Sequence, residues 1–208
     1  MDESTVTDTD GNVYRCVTIG NQWWMAEDMI VTRYRNGDPI PNIKDKSQWA
    51  DLTAGAYCSF ENSEDYVSSY GRLYNAYVVE DSRGICPDGW HIPSDEEWIQ
   101  LELFLGMSES EANRMTASRG TNEGEKLKAA SFGGTDEVGF AAKGTGYRHP
   151  NGEFRALDID TDYWTSTTYD NNGSLESVLH GLVNTRSNID RNYHDQKYGF
   201  CLRCIKSQ

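Results

Sequence analysis

Helix and strand signals are segregated along this chain, and that segregation constrains the fold more than any other feature. After Gly133 the runs FAAKGTGY, EFRAL, DYWTSTT, ESVLHGL and YGFCLRCIK read as short strands, divided by turn residues that include Asn151-Gly152 and Asn172-Gly173. Asn-Gly supplies the positive φ that tight hairpins need, so this third predicts a meander of hairpins. Near the start, NVYRCVTI (12–19) alternates, with Val13, Arg15, Val17 and Ile19 on one side and Tyr14, Cys16 and Thr18 on the other, which predicts a first strand. The helical patterns lie between these regions. In PSDEEWIQLELFLG, Ser94 and Glu97 form a capping box, Trp98, Leu101 and Leu105 an apolar stripe, and Gly106 a left-handed stop. Ser108 with Glu111 repeats the box and predicts a helix running to Gly120, with a further turn or two over 125–130. Leu73, Tyr74, Tyr77 and Val78 predict another helix over 71–82, ended by Gly84 and Pro87. Residues 35–69, rich in Pro, Gly, Asn, Asp and Ser, read as a long ordered loop. The expected class is therefore α+β, with short central helices and an antiparallel C-terminal sheet that the N-terminal strand joins.

At 208 residues the chain fits one domain, placed at 9–208, with 1–8 expected to be a disordered N-terminal segment. The 33 acidic residues exceed the 19 basic ones by 14, and a field of that sign repels nucleic-acid phosphates and anionic lipid headgroups. No apolar run approaches the roughly 20 residues that span a bilayer, so neither nucleic acid nor membrane insertion is expected. MDESTVTDTDG has no basic n-region and no apolar h-region, and does not read as a signal peptide. The loops rich in Asn, Tyr and Trp nevertheless suit an extracellular recognition surface.

Several blocks carry a family resemblance: DGNVYRCVTIGNQWWMAEDM, then YGRLYNAYVVEDSRGICPDGWHIPSDEEW, then YWTSTTYDNN and NYHDQKYGFCLRCIK. In this order, from about Thr9 to Lys206, they resemble the Fibrobacter succinogenes major paralogous domain. The resemblance implies a bacterial cell-surface or secreted protein, often a lipoprotein, with a C-type-lectin-like fold related to formylglycine-generating sulfatase-modifying proteins. It implies no particular activity. The family's usual pattern has the cysteines matching Cys86 and Cys204, and often the one matching Cys58, whereas Cys16 and Cys201 depart from it. If the first and last strands are neighbours, Cys16 and Cys201 come within disulfide reach, so the expected pairs are Cys86–Cys204 and Cys16–Cys201, with Cys58 free. Five reduced thiols are the alternative.

Candidate chemistry is sparse. His91, between Trp90 and a helix cap, reads as structural and satisfied by backbone groups. His149, His180 and His194 show no ligand spacing, so no zinc site is expected. Asp158, Asp160 and Asp162 cluster hard oxygen donors and are the first residues to test for calcium, the one cofactor left open, although the loop lacks the EF-hand pattern. Cys201-x-x-Cys204 on a strand points to opposite faces and has no helix N-terminus to activate it, and the relatives' active cysteine pair has no counterpart in ESVLHGLVNTRSNID. No catalytic residues are assigned. What stands out is the density of Tyr, Trp, Asn and Arg in the C-terminal loops. Tyr169, Asn171, Asn172, Asn184, Arg186, Asn188, Arg191 and Tyr193 are the expected ligand-binding residues, while Trp164 is expected in the core.

The expected function is thus a non-catalytic bacterial surface or secreted recognition module that binds glycan or protein through these loops. The alternatives are an oxidoreductase like the formylglycine-generating relatives, or a structural surface or pilus component.

Overall fold

A computed structural model describes residues 4–207. The chain opens with strands β1 (Thr5–Thr7), β2 (Val13–Ile19) and β3 (Gln22–Met25), and the long loop that follows carries helix α1 (Lys46–Ala50), strand β4 (Tyr57–Cys58) and helix α2 (Val67–Tyr70). The middle holds β5 (Leu73–Asn75), α3 (Ala76–Glu80), β6 (Trp90–His91), α4 (Asp95–Phe104), α5 (Glu109–Ala112) and α6 (Glu123–Leu127). The last third is β7 (Thr145–Arg148), β8 (Phe154–Leu157), β9 (Asp160–Asn171), β10 (Ser174–Val183), β11 (Asp190–His194), β12 (Gly199–Phe200) and β13 (Ile205–Lys206). The class is α+β: few, short helices and three sheets whose strands pair antiparallel, in the orders β1-β2-β3-β13-β6, β4-β5-β12-β7-β8 and β11-β10-β9. No helix among the described residues is long and apolar enough to cross a membrane.

The strongest local signal is realised in full. Ser94 Oγ accepts from the Glu97 backbone N–H and the Glu97 carboxylate accepts from the Ser94 N–H, so both orphan donors of the first turn of α4 are satisfied. Gly106 then takes the left-handed conformation, at φ 109°. Trp98 is fully buried with Trp24, Phe140 and Tyr163, rings packed edge-on or tilted at 5.1 to 5.8 Å. Trp164 is also buried, its indole N–H donating to the Tyr74 carbonyl at 3.0 Å, as the sequence reading expected.

Four expectations are corrected. The helix placed at 71–82 begins only at Ala76, because Leu73–Asn75 is taken up as a strand between β4 and β12; cross-strand pairing outweighs a four-residue apolar pattern. The helix after Ser108 stops at Ala112 rather than reaching Gly120. The segment 1–8 is not wholly disordered: Thr5–Thr7 pairs with Val13–Arg15, and only residues 1–3 lie outside the described residues. Finally, the Cys16–Cys201 disulfide does not form. Cys86 and Cys204 are bridged, with Cα atoms 5.9 Å apart, but Cys16, Cys58 and Cys201 are free thiols. The reason is topological: β3 is inserted between β2 and β13, so Cys16 faces Met25 across the ladder, while Cys201 is buried beside Thr161 and the Asp162 carbonyl.

Candidate functional site

The three-stranded β9–β10–β11 sheet organises the candidate site, because successive residues of a strand project to opposite faces. Register fixes which residues share a face. Tyr163, His180 and Arg191 form one cross-strand row, while Asp162, Gly181 and Asp190 form the next, facing the other way.

The first face packs on α4, and its charges are paired. His180 is buried with Nε2 2.9 Å from Asp95 Oδ1 and Nδ1 2.7 Å from Glu102 Oε1 and 3.2 Å from Arg119 Nη2. Arg119 clamps Glu102 with two hydrogen bonds of 2.7 and 2.9 Å, Arg191 Nε donates to Asp95 at 2.8 Å, and the Trp98 ring stacks on the imidazole at 4.9 Å. Burial pushes the carboxyls of Asp95 and Glu102 up, but His180 and the two arginines outweigh it and hold both below the usual carboxylate range. Further along this face, at its solvent end, Tyr169 and Tyr193 lie nearly parallel, ring centres 4.4 Å apart and 15° from coplanar. Tyr169 is 41% exposed and Leu175, near the hairpin tip, 52%.

The second face opens on a cleft of about 270 Å³ lined by Tyr147, Asp160, Asp162, Leu179, Asp190, Asn192, His194, Tyr198 and Phe200. Tyr198 lies between His194, stacked at 4.7 Å, and Phe200, stacked at 5.2 Å. Asp190 is neutralised by Arg186, at 2.6 Å. Asp160 and Asp162 have no such partner: among the described residues no side chain donates to either carboxylate. Burial first, and then the neighbouring carboxylates, push Asp160 up to about 6 and Asp162 well above its ordinary value.

The profile of the Fibrobacter succinogenes major domain matches residues 17–206. The chain belongs to that family. No curated protein and no solved structure matches it.

In this Fibrobacter succinogenes major domain, the expected ligand-binding residues are dispersed. Tyr169 and Tyr193 meet as the stacked pair. Asn171 and Asn172 sit at the β9–β10 turn, where Asn172 takes a left-handed φ of 53° and Asn171 Nδ2 donates to Glu176 at 3.2 Å. Asn184 and Asn188 brace loops by donating to the carbonyls of Asp158 and Gly120. Arg186 is engaged by Asp190 and Ser118, and Arg191 by Asp95. The acidic triplet does not act as one ligand set: Asp160 and Asp162 share the cleft, but Asp158 precedes the strand in a left-handed turn at φ 59° and accepts from Tyr70 at 2.7 Å. Among the described residues no group of three or more His, Cys, Asp or Glu could hold a metal ion. His91 is satisfied by the side chains of Ser207 and Glu97 rather than by backbone.

Sequence reasoning missed the His180 network and the cleft. A signal existed for each. Glu102 falls four residues after Trp98 on the buried stripe of α4, where a charge demands a partner, and the alternation Asp190, Asn192, His194 mirrors Asp160, Asp162.

Proposed function

We propose that the chain is a non-catalytic recognition module, secreted or displayed on the cell surface, with a C-type-lectin-like fold, and that it binds glycan. The observation that carries this reading is the stack of exposed Tyr169 on half-buried Tyr193. The outer face of this stack, held by a sheet, presents a rigid ring surface for the C–H face of a sugar, with Asn171 and Glu176 beside it for the hydroxyls. The patch is small, which favours a sugar over a protein partner. Export is supported by the Cys86–Cys204 disulfide, since such bonds persist in oxidising compartments. The state of the free thiols argues against redox chemistry: burial pushes Cys16 up to about 11, Cys58 up to about 12 and Cys201 well above the ordinary thiol value, leaving little thiolate at neutral pH.

The test is glycan-array binding followed by titration of the best ligand against Tyr169→Ala and Tyr193→Ala. Losing one stacking ring should weaken binding about tenfold with unchanged melting temperature. Undiminished binding by both variants would sink the platform.

A further inference from the structure

The cleft on the second face is a separate site from the tyrosine platform, and its chemistry differs. Its lining combines rings (Tyr147, Tyr198, His194) and apolar side chains (Leu179, Phe200) with three carboxyls, Asp160, Asp162 and Asp190. Arg186 pairs directly with Asp190 and reaches Asp160 and Asp162 only through space. Asp160 has only the backbone N–H of Thr161 to support it, and Asp162 leans over Gly181, where a Cβ would lie 2.3 Å from its Oδ1. The absent side chain at 181 therefore makes room for the carboxylate inside the cleft. Carboxyls without a direct side-chain donor in a partly desolvated, aromatic-lined cavity regain their charge when a cationic ligand sits beside them. Among the described residues no group of three or more His, Cys, Asp or Glu could hold a metal ion, which favours an organic cation.

We infer that this cleft binds an alkylammonium group, the chemistry of a lysine side chain, with the ammonium between Asp160 and Asp162 and the methylene stem along Leu179, Phe200 and the ring of Tyr198. The carboxylates accept the three N–H donors, and the rings attract the cation through their quadrupoles. The stem uses the apolar side chains, which a compact polar cation would not. A lysine presented by a protein surface combines the charge and the methylene stem that a cleft lined by carboxyls, rings and apolar side chains can hold.

Calorimetric titration with Nα-acetyl-lysine amide tests this directly, against Nε-acetyl-lysine amide, glucosamine and N-acetylglucosamine as comparators. The expected result is binding of the free ε-ammonium compound and at least roughly tenfold weaker binding of its acetylated form. Asp162→Asn and Asp160→Asn, which keep the side-chain shape, should each weaken binding about tenfold, and Gly181→Ala should do the same by displacing the Asp162 carboxylate. Should a variant fold poorly, thermal stabilisation of the unmodified protein by the same four compounds gives the answer without it. Equal binding of both lysine compounds, preference for glucosamine over the lysine compound, or no binding of either would overturn the inference. Because the platform lies on the opposite face, Tyr169→Ala should leave lysine binding unchanged; loss there would overturn the separation of the two sites.

Discussion

The two faces of the β9–β10–β11 sheet hold similar numbers of ionisable groups, yet they treat charge in opposite ways. On the α4 side, Asp95 and Glu102 meet His180, Arg119 and Arg191, and every carboxylate has a donor within hydrogen-bonding distance. On the cleft side, Asp160 and Asp162 face rings and one another, and only Asp190 has an arginine. The rows His180 and Gly181 are adjacent in sequence, so the contrast arises from alternation within one strand. A buried charge with complete partners is a structural commitment, while a half-desolvated charge without them is available to a ligand.

The contrast predicts its largest effect on the paired face. Glu102→Ala strands Arg119 and one side of His180 in the core, and should cost about 3–5 kcal/mol in chemical denaturation. A cost below about 1 kcal/mol would mean that water reaches the network and that the faces are alike.

Reducing Cys86–Cys204 should lower stability on both faces together. The bridge closes a separation of 118 residues, and the chain-entropy account gives about 5 kcal/mol as an upper figure. A clear fall in melting temperature with intact glycan and lysine titrations is expected from the surviving folded fraction. Ligand loss in that fraction would tie the disulfide to a site rather than to the scaffold.

Stability against pH separates the faces by sign. Asp160 and Asp162 are raised in the folded state, so their contribution is fully present below the ordinary value near 3.8 and is lost as pH rises, for Asp160 through about 6. Asp95 and Glu102 are lowered, so theirs is present above their unfolded values and is lost as pH falls below them. From pH 4 to 7 the Asp160 contribution should therefore fall by about 1–2 kcal/mol, read as the difference in pH dependence between the unmodified protein and Asp160→Asn. A slope unchanged in Asp160→Asn would show that the cleft is better hydrated than its geometry indicates.

The smallest expected effect is at the entry to the paired face. Ser94→Ala removes one side of the capping box that positions Asp95, and should cost about 1 kcal/mol without altering either ligand titration.

What could be read from the sequence was local. The capping box at Ser94, the strand at 13–19 and the hairpin turn at Asn172-Gly173 follow from backbone chemistry that neighbouring residues supply, and each is present in the structure. The family resemblance was legible for the same reason, since it rests on contiguous blocks. Tyr169 and Tyr193 were singled out, but their stacking was not, because it joins residues on β9 and β11 across no shared ladder. Strand order was likewise invisible: nothing in VYRCVTI or CLRCIK says that Gln22–Met25 lies between them, so the Cys16–Cys201 bridge was drawn between strands that never touch. The sequence by itself determined local features such as the cap that starts α4 and which residues of a strand share a face. Only the tertiary structure decided which face meets α4 and which meets solvent, and hence which carboxylates are paired, because long-range partners are set by how the sheets pack and not by any residue's neighbours along the chain.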